Sequence, residues 1–192
     1  MQSSPSIPAA SGFTLFELVM VILIVSILVV IGIPSFKYVT TSNRIATEVN
    51  ALLGDMRYAR TEALKQGLPV TVCASADGAT CSTSNSWQSG WIMFSDPNNS
   101  LTPPAGPVLL RIQAPLSTAF NSTDTLVADN GFSAITFNRE GFGATHIATA
   151  TNTVTMELQS SPVNSSWTRC LVISPVGVLS IQKVGGSLGN CY

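Results

Sequence analysis

No charged residue stands between Glu17 and Lys37, and the run 18–36 that separates them is apolar almost throughout. As a helix rising about 1.5 Å per residue, that run spans roughly 30 Å, the thickness of a bilayer's hydrocarbon core. A chain with this feature is expected to be anchored in a membrane through it, with the remainder folding outside. Composition agrees, because 45 % of the 192 residues are hydrophobic and only 10 % charged, against about 25 % charged in ordinary soluble domains. The formal net charge is -1. Beyond Gln66 the bases are Arg111, Arg139, Arg169 and Lys183, and the acids are Asp77, Asp96, Asp124, Asp129, Glu140 and Glu157. The part outside the membrane is therefore mildly acidic, with no bulk attraction for nucleic acid or anionic lipid.

Residues 1–12 (MQSSPSIPAASG) are small and polar and read as a leader rather than a folded element. A secretory signal is cut after its apolar stretch. Here the small-residue junction at Gly12 precedes the stretch, so cleavage leaves the apolar segment on the mature chain. The leader holds no Lys or Arg, and Lys37 and Arg44 lie beyond the run, although the positive-inside rule places basic residues on the cytoplasmic side.

Gly32 and Pro34 are expected to loosen or kink the helix, since proline removes a backbone donor and crowds the preceding turn. The helix then resumes. Ile45, Val49, Leu52, Leu53, Met56, Ala59, Ala63 and Leu64 recur at spacings of three and four, with most charged residues on other faces. Gly67 and Pro69 end it, giving one helix over 13–66, on the order of 80 Å long. Its second half requires a sheet to cover the apolar stripe. Runs rich in β-formers occur at 69–74, 90–95, 108–112, 134–138, 153–158, 169–174 and 178–182. Turn chemistry separates them at Asp77-Gly78, Asp96-Pro97-Asn98-Asn99, Pro103-Pro104-Ala105-Gly106, Asn130-Gly131 and Gly185-Gly186. No internal repeat or long linker divides a second domain.

Cys73, Cys81, Cys170 and Cys191 allow three pairings. In a chain exported past a membrane, disulfides are favoured over metal ligands. Cys73 with Cys81 and Cys170 with Cys191 is preferred, because each bridge closes a polar loop that could not otherwise hold itself rigid. Neither group has the C-x-x-C spacing of a zinc site.

Gly12-Phe13-Thr14-Leu15-Phe16-Glu17 followed by the apolar run resembles the class III signal of type IV pilins and pseudopilins. The resemblance implies a type IV pilin-like α+β fold, in which a long N-terminal helix, membrane-spanning in its first half, packs on an antiparallel β-sheet domain. It also implies cleavage between Gly12 and Phe13 by prepilin peptidase and N-methylation of the Phe13 amine. Glu17 would pair with the N-terminal amine of a neighbouring subunit. An ionised carboxylate at the edge of hydrocarbon costs on the order of a few kcal/mol unless it is paired, so its burial becomes a recognition device for assembly. The plainer reading is a carboxylate at headgroup level, favoured by the helix dipole; the whole motif favours assembly.

Further along, Ala59-Arg60-Thr61-Glu62-Ala63-Leu64-Lys65, Pro69-Val70-Thr71-Val72-Cys73, Asp77-Gly78, Cys81, Trp87 and Gly90-Trp91-Ile92-Met93-Phe94-Ser95-Asp96 together resemble the GspH/FimT family of minor pilins and pseudopilins. Trp87, Trp91 and Phe94 are read as core or hairpin packing rather than binding residues. The domains implied are a leader (1–12), a transmembrane helix half (13–36), an amphipathic half (37–66) and a periplasmic β domain (67–192). The chain would sit in the bacterial inner membrane with its N-terminus cytoplasmic, then enter a filament. The partners implied are other pilin or pseudopilin subunits, prepilin peptidase and the inner-membrane assembly platform.

An enzyme reading fails on inventory. The one histidine is His146, in a Gly/Ala/Thr-rich stretch, and no nucleophile, metal or phosphate-loop motif is present; no cofactor, catalytic residue or metal site is expected. The Asn-x-Ser/Thr triplets at Asn98, Asn121 and Asn164 are loop composition. Some FimT-like minor pilins bind DNA through a C-terminal G-R-x-R motif. Here Gly177 remains, but Val178 and Ser180 replace both arginines, and phosphate affinity rests largely on such cations. DNA is therefore not an expected partner, and Lys183 is only a weak candidate contact. Three roles follow in order of preference: a minor type IV pilin in the priming or tip complex, a minor pseudopilin of type II secretion, and a DNA-binding competence pilin. The pilus reading leads because the long Ser/Thr/Asn/Pro loops suit a displayed domain.

Overall fold

The computed structural model describes residues 12–103, 109–116, 118–119, 122–146, 153–184 and 191. The leader up to Ser11, Asn121, and the turns at 104–106 and 185–186 lie outside the described residues. The chain forms two compact units, Met1–Val39 and Thr40–Tyr192.

The first unit is helical. Thr14 stands at the N-cap of α1 (Leu15–Gln66), accepting a hydrogen bond at Oγ1 from the Glu17 backbone N–H at 3.2 Å. Thr-x-x-Glu is the capping-box signature, and this bond satisfies one of the first-turn N–H groups that have no intrahelical acceptor. The helix is unbroken through Gly32 and Pro34, so the expected weak point costs a backbone donor without ending the element. Every residue from 12 to 39 is exposed.

In the second unit α1 becomes amphipathic. Ile45, Val49, Leu52, Met56, Ala59 and Ala63 are buried, following the three-and-four spacing. Leu64 departs from that face at 52 % exposure, while Asp55 and Glu62, expected on the outer faces, are buried. Helix geometry explains the exchange: Leu64 is one step of about 100° from Ala63 and rotates past the edge of the stripe. Asp55 is drawn in by its partners, accepting from Trp91 Nε1 at 2.9 Å and pairing with Arg111 at 2.9 Å. The helix ends where Gly67 takes φ +66 and its N–H bonds to the Ala63 carbonyl at 3.0 Å, an αL cap.

The described strands, in chain order, are β1 (Val70–Ala74), β2 (Trp91–Ser95), β3 (Leu109–Gln113), β4 (Thr118–Ala119), β5 (Ser122–Ala128), β6 (Ala134–Phe137), β7 (Gly143–His146), β8 (Val154–Ser160), β9 (Arg169–Ile173) and β10 (Leu179–Lys183). They form two antiparallel five-stranded sheets, ordered β3-β2-β1-β6-β7 and β10-β9-β8-β5-β4. One sheet was expected. The division arises at the short 3-10 turn Asp129–Gly131, which sends β5 to the second sheet beside β8 and returns β6 to the first beside β1. Strands β4, β5 and β7 were not anticipated, because their sequences TA, STDTLVA and GATH are short or polar and lack the apolar alternation that marks a half-buried strand.

The helix-facing core joins Ile45, Leu52 and Met56 to Val72, Trp91, Met93, Leu126, Met156, Leu171 and Ile173. Alternation along β1 and β2 sends Cys73, Ile92 and Phe94 to the opposite face, where with Ala134 they form a second, smaller core. Cys81, Leu101 and Leu109 pack over it. Trp87, Trp91 and Phe94 are each at most 2 % exposed, which makes them core residues. Trp87 stacks on Phe132 with ring centroids 5.5 Å apart, and its Nε1 donates to the Phe132 carbonyl at 3.0 Å.

Candidate functional site

Two regions present chemistry that the core does not consume. The first is the start of α1. Phe13 is 80 % exposed, and the helix contains an 18-residue window of mean hydropathy 3.0, none of it buried. That window is long and apolar enough to cross a membrane. Glu17 sits in the first turn, where the unsatisfied N–H groups of the helix favour a negative charge. Among the described residues it forms no ion pair. Thr14, which the sequence reading passed over, fixes this turn; the Thr-x-x-Glu spacing was the signal that could have found it. Gly12 and Phe13 precede the helix, outside regular secondary structure.

The second region lies at the far end of the amphipathic half, where two hairpin turns of the same build meet. In the 174–178 turn, Gly177 N–H donates to the Ser174 carbonyl at 2.9 Å and Ser174 N–H to the Val178 carbonyl at 3.0 Å. In the 138–142 turn, Gly141 N–H donates to the Asn138 carbonyl and Asn138 N–H to the Phe142 carbonyl, both at 2.9 Å. Gly177 at φ +74 and Gly141 at φ +83 each supply the left-handed residue that closes a three-residue hairpin loop. The glycines face one another: a Cβ on Gly177 would lie 2.7 Å from the Gly141 carbonyl oxygen. Arg60 reaches up from α1 to this junction and donates from Nη1 to the Gly177 carbonyl at 3.1 Å. Beside it opens a cleft of about 490 Å³ lined by Arg57, Arg60, Thr61, Leu64, Gly177, Val178 and Leu179. Thus the Gly177 turn has arginines beside it after all, contributed by the helix rather than by Val178 and Ser180. The three-residue spacing of Arg57 and Arg60, which puts both on one helix face, was the available signal. Lys183 lies apart from this cleft, at the end of β10 and paired in register with Arg169.

The remaining candidates serve the loops. Cys73 is bonded to Cys81 with Cα atoms 5.5 Å apart, and Cys170 to Cys191 at 5.7 Å. The first bridge secures the 75–81 loop over the small core. Within that loop Asp77 accepts from Thr80 Oγ1 at 2.6 Å, the Thr80 and Ala79 N–H groups at 2.8 Å each, and Ser75 Oγ at 3.0 Å. These donors, led by the Thr80 hydroxyl, hold its carboxyl well below the usual carboxylate range. Asp96, buried beneath the next loop, accepts from Thr71 Oγ1 at 3.1 Å, Ser100 N–H at 2.9 Å and Leu101 N–H at 3.0 Å. Asn164 is structural in the same sense, its Oδ1 taking the Ser166 N–H at 2.9 Å, and Asn98 lies exposed in a turn. His146 ends β7, and its side chain lies outside the described residues. Among the described residues no three His, Cys, Asp or Glu side chains cluster as metal ligands would.

Comparison with known proteins agrees with this architecture. The crystal structure of the type IV minor pilin FimU from Pseudomonas aeruginosa is similar in fold, with a TM-score of 0.53 and 23 % identity over 77 % of this chain and 92 % of that one. A second crystal form of FimU gives 0.51 and 22 %, covering 77 % and 98 %. The minor pseudopilin EpsH from the Type 2 Secretion System of Vibrio cholerae gives 0.50 at 10 % identity, covering 74 % and 99 %. No curated protein sequence matches the chain. The family model described as Type II transport protein GspH matches residues 48–177, from the amphipathic half of α1 to the Gly177 turn. With that match spanning most of the domain, and with the long helix on antiparallel sheets that minor pilins share, the chain belongs to the GspH family of type IV pilin-like proteins.

Proposed function

We propose that this chain is a minor type IV pilin that enters the priming or tip complex of a pilus through its N-terminal helix. The observation that carries the reading is the complete exposure of the apolar first half of α1. An apolar surface of that extent is stable only when lipid or other helices cover it. Residues 1–12 act as the leader, 13–36 span the inner membrane, 37–66 form the amphipathic half, and 67–192 fold in the periplasm with the N-terminus cytoplasmic. Prepilin peptidase cuts between Gly12 and Phe13, and the new Phe13 amine is methylated. The chain's role is structural, not catalytic, and it needs no cofactor.

Assembly follows from the chemistry of the first turn. Once Phe13 is the N-terminus, Glu17 lies in the first turn of the helix, held there by the Thr14 cap. In hydrocarbon its carboxylate needs a cation, and the Phe13 amine of a neighbouring subunit supplies one. The inner-membrane assembly platform then drives the apolar helices into a bundle.

A second reading, a minor pseudopilin of type II secretion, is favoured by the description of the matching family model and by the likeness to EpsH. The Ser/Thr/Asn/Pro-rich loops of the displayed domain favour the pilus. Deleting the gene and assaying piliation and protein secretion side by side separates them: lost secretion with intact pili replaces the first reading by the second. At the residue level, Gly12→Val should leave unprocessed precursor in the membrane. Glu17→Ala should be processed yet absent from sheared filaments, and its normal incorporation would remove the proposed pairing role.

A further inference from the structure

Arg57 and Arg60 stand in one cleft with no acidic side chain in its lining. Their charged neighbours are already matched. Arg139 pairs with Glu140 at 2.9 Å, and Lys65 pairs with Glu62 at 3.5 Å. Among the described residues the Arg60 side chain has only the Gly177 carbonyl for a hydrogen-bond partner, and Arg57 is exposed. Two guanidiniums on one helix face repel one another modestly, and the arrangement stores unspent capacity for a carboxylate, which an arginine can grip through two parallel hydrogen bonds.

The walls are not purely polar. Leu64 and Val178, which line the cleft, are 52 % and 55 % exposed, and the same two hairpin turns carry Phe142 and Val176 at 51 % and 52 %. Apolar groups exposed together beside cations that have no ion pair among the described residues are the composition of a contact surface whose centre is charged and whose margin is dry. The geometry is also built rather than accidental: two left-handed glycines must face each other for Arg60 to seat on the Gly177 carbonyl and hold the cleft's rim.

We infer that this cleft docks an acidic side chain flanked by an apolar one, presented by a neighbouring pilin-type subunit. The inference rests on the filament reading above and deepens it, adding a contact between globular domains to the one made by the helices. Charge complementarity selects the occupant: the carboxylate meets Arg57 and Arg60 while its apolar neighbour covers Leu64 and Val178.

The test uses the full-length chain in its membrane. A photo-crosslinking amino acid placed at Val178 should capture another filament subunit, with the bond mapped by mass spectrometry next to an Asp or Glu of that subunit. Arg57→Glu should lower the yield by about tenfold, since it turns attraction into repulsion; the exposed Arg57 side chain makes no hydrogen bond or ion pair among the described residues, so thermal unfolding should stay unchanged. Converting the mapped acid to Lys should restore the cross-link in the Arg57→Glu background. If the chain enters sheared filaments but Val178 captures no subunit, or captures one with equal yield in Arg57→Glu, the docking cleft is overturned while the filament reading stands. If the chain is absent from every filament, both fall. A salt-sensitive shift of duplex DNA that Arg57→Glu abolishes would assign the cleft to phosphate and also overturn the inference.

Discussion

Asp124 is fully buried, and its carboxylate meets Arg44 through both oxygens, at 2.6 Å to Nε and 2.7 Å to Nη2, with Ser160 Oγ 3.2 Å from the same guanidinium. The pair ties the start of the amphipathic half of α1 to β5. Removing only the cation leaves a buried charge without its partner, so Arg44→Ala should cost about 3–5 kcal/mol, read from denaturant midpoints, whereas Arg44→Met combined with Asp124→Leu should lose far less. Equal losses for the two variants would show that packing, not charge, is at stake. Asp77 differs because it is exposed, and its effect is on the loop rather than on global stability. Its donors favour the ionised form, so the folded pKa lies below the unfolded one. The contribution is then complete above the ordinary carboxylate value near about 4 and disappears only as pH falls through the lowered folded value. Amide protection at Ala79 and Thr80 should therefore persist in acid where a free aspartate has already protonated; titration of Asp77 at the ordinary value would refute this. The Arg44–Asp124 pairing was not legible in sequence, since the two residues are 80 positions apart and no local pattern relates them.

Elements with strong periodic signals were legible and those without were not. The helix from the first turn to the Gly67 cap and the strands β1, β2, β3, β6, β8, β9 and β10 fall within one or two residues of the expected runs. In the second half of the helix and in β8 side-chain burial imposes the spacing that the sequence displays, while the other strands stand out as runs of β-formers between turn residues. Strands β4, β5 and β7 are held by neighbours instead: β5 pairs with β8 from Asp124↔Ser160 to Ala128↔Met156, and β7 pairs with β6. The turns at Asn138 and Ser174 behave likewise, because their shared pattern of a polar residue followed three positions later by glycine specifies each loop but not that the loops meet. Gly177→Ala tests that meeting. Its Cβ would fall 2.7 Å from a backbone oxygen at a left-handed φ, so a loss of about 1–3 kcal/mol is expected, together with release of Arg60 from the Gly177 carbonyl. Unchanged stability in thermal unfolding would mean that the hairpins are free to separate.

At the scale of the whole molecule, the chain divides its burden. All of the described core lies beyond Thr40, beginning at Ile45, while the residues before it expose their apolar side chains. A chain beginning at Thr40 should consequently be soluble without detergent and unfold cooperatively, while the full-length chain should require detergent or membrane; aggregation of the shorter chain would show that the first half of α1 contributes to the fold. The long apolar first half of α1 and the place of Glu17 in its first turn were legible in sequence alone, because each rests on contiguous residues whose chemistry is complete within a short stretch of the chain, and the family resemblance was legible in short motifs of the same kind. Hydrophobic run length, cap spacing and turn glycines act locally and are read locally. What only the tertiary structure decided is what brings distant residues together: the division into two sheets, the buried charges Asp55 and Asp124 with their partners, and the cleft in which Arg57 and Arg60 meet the Gly177 turn. Those features depend on how the chain crosses itself, and electrostatic and van der Waals forces depend on distance in space, which separation along the chain does not encode.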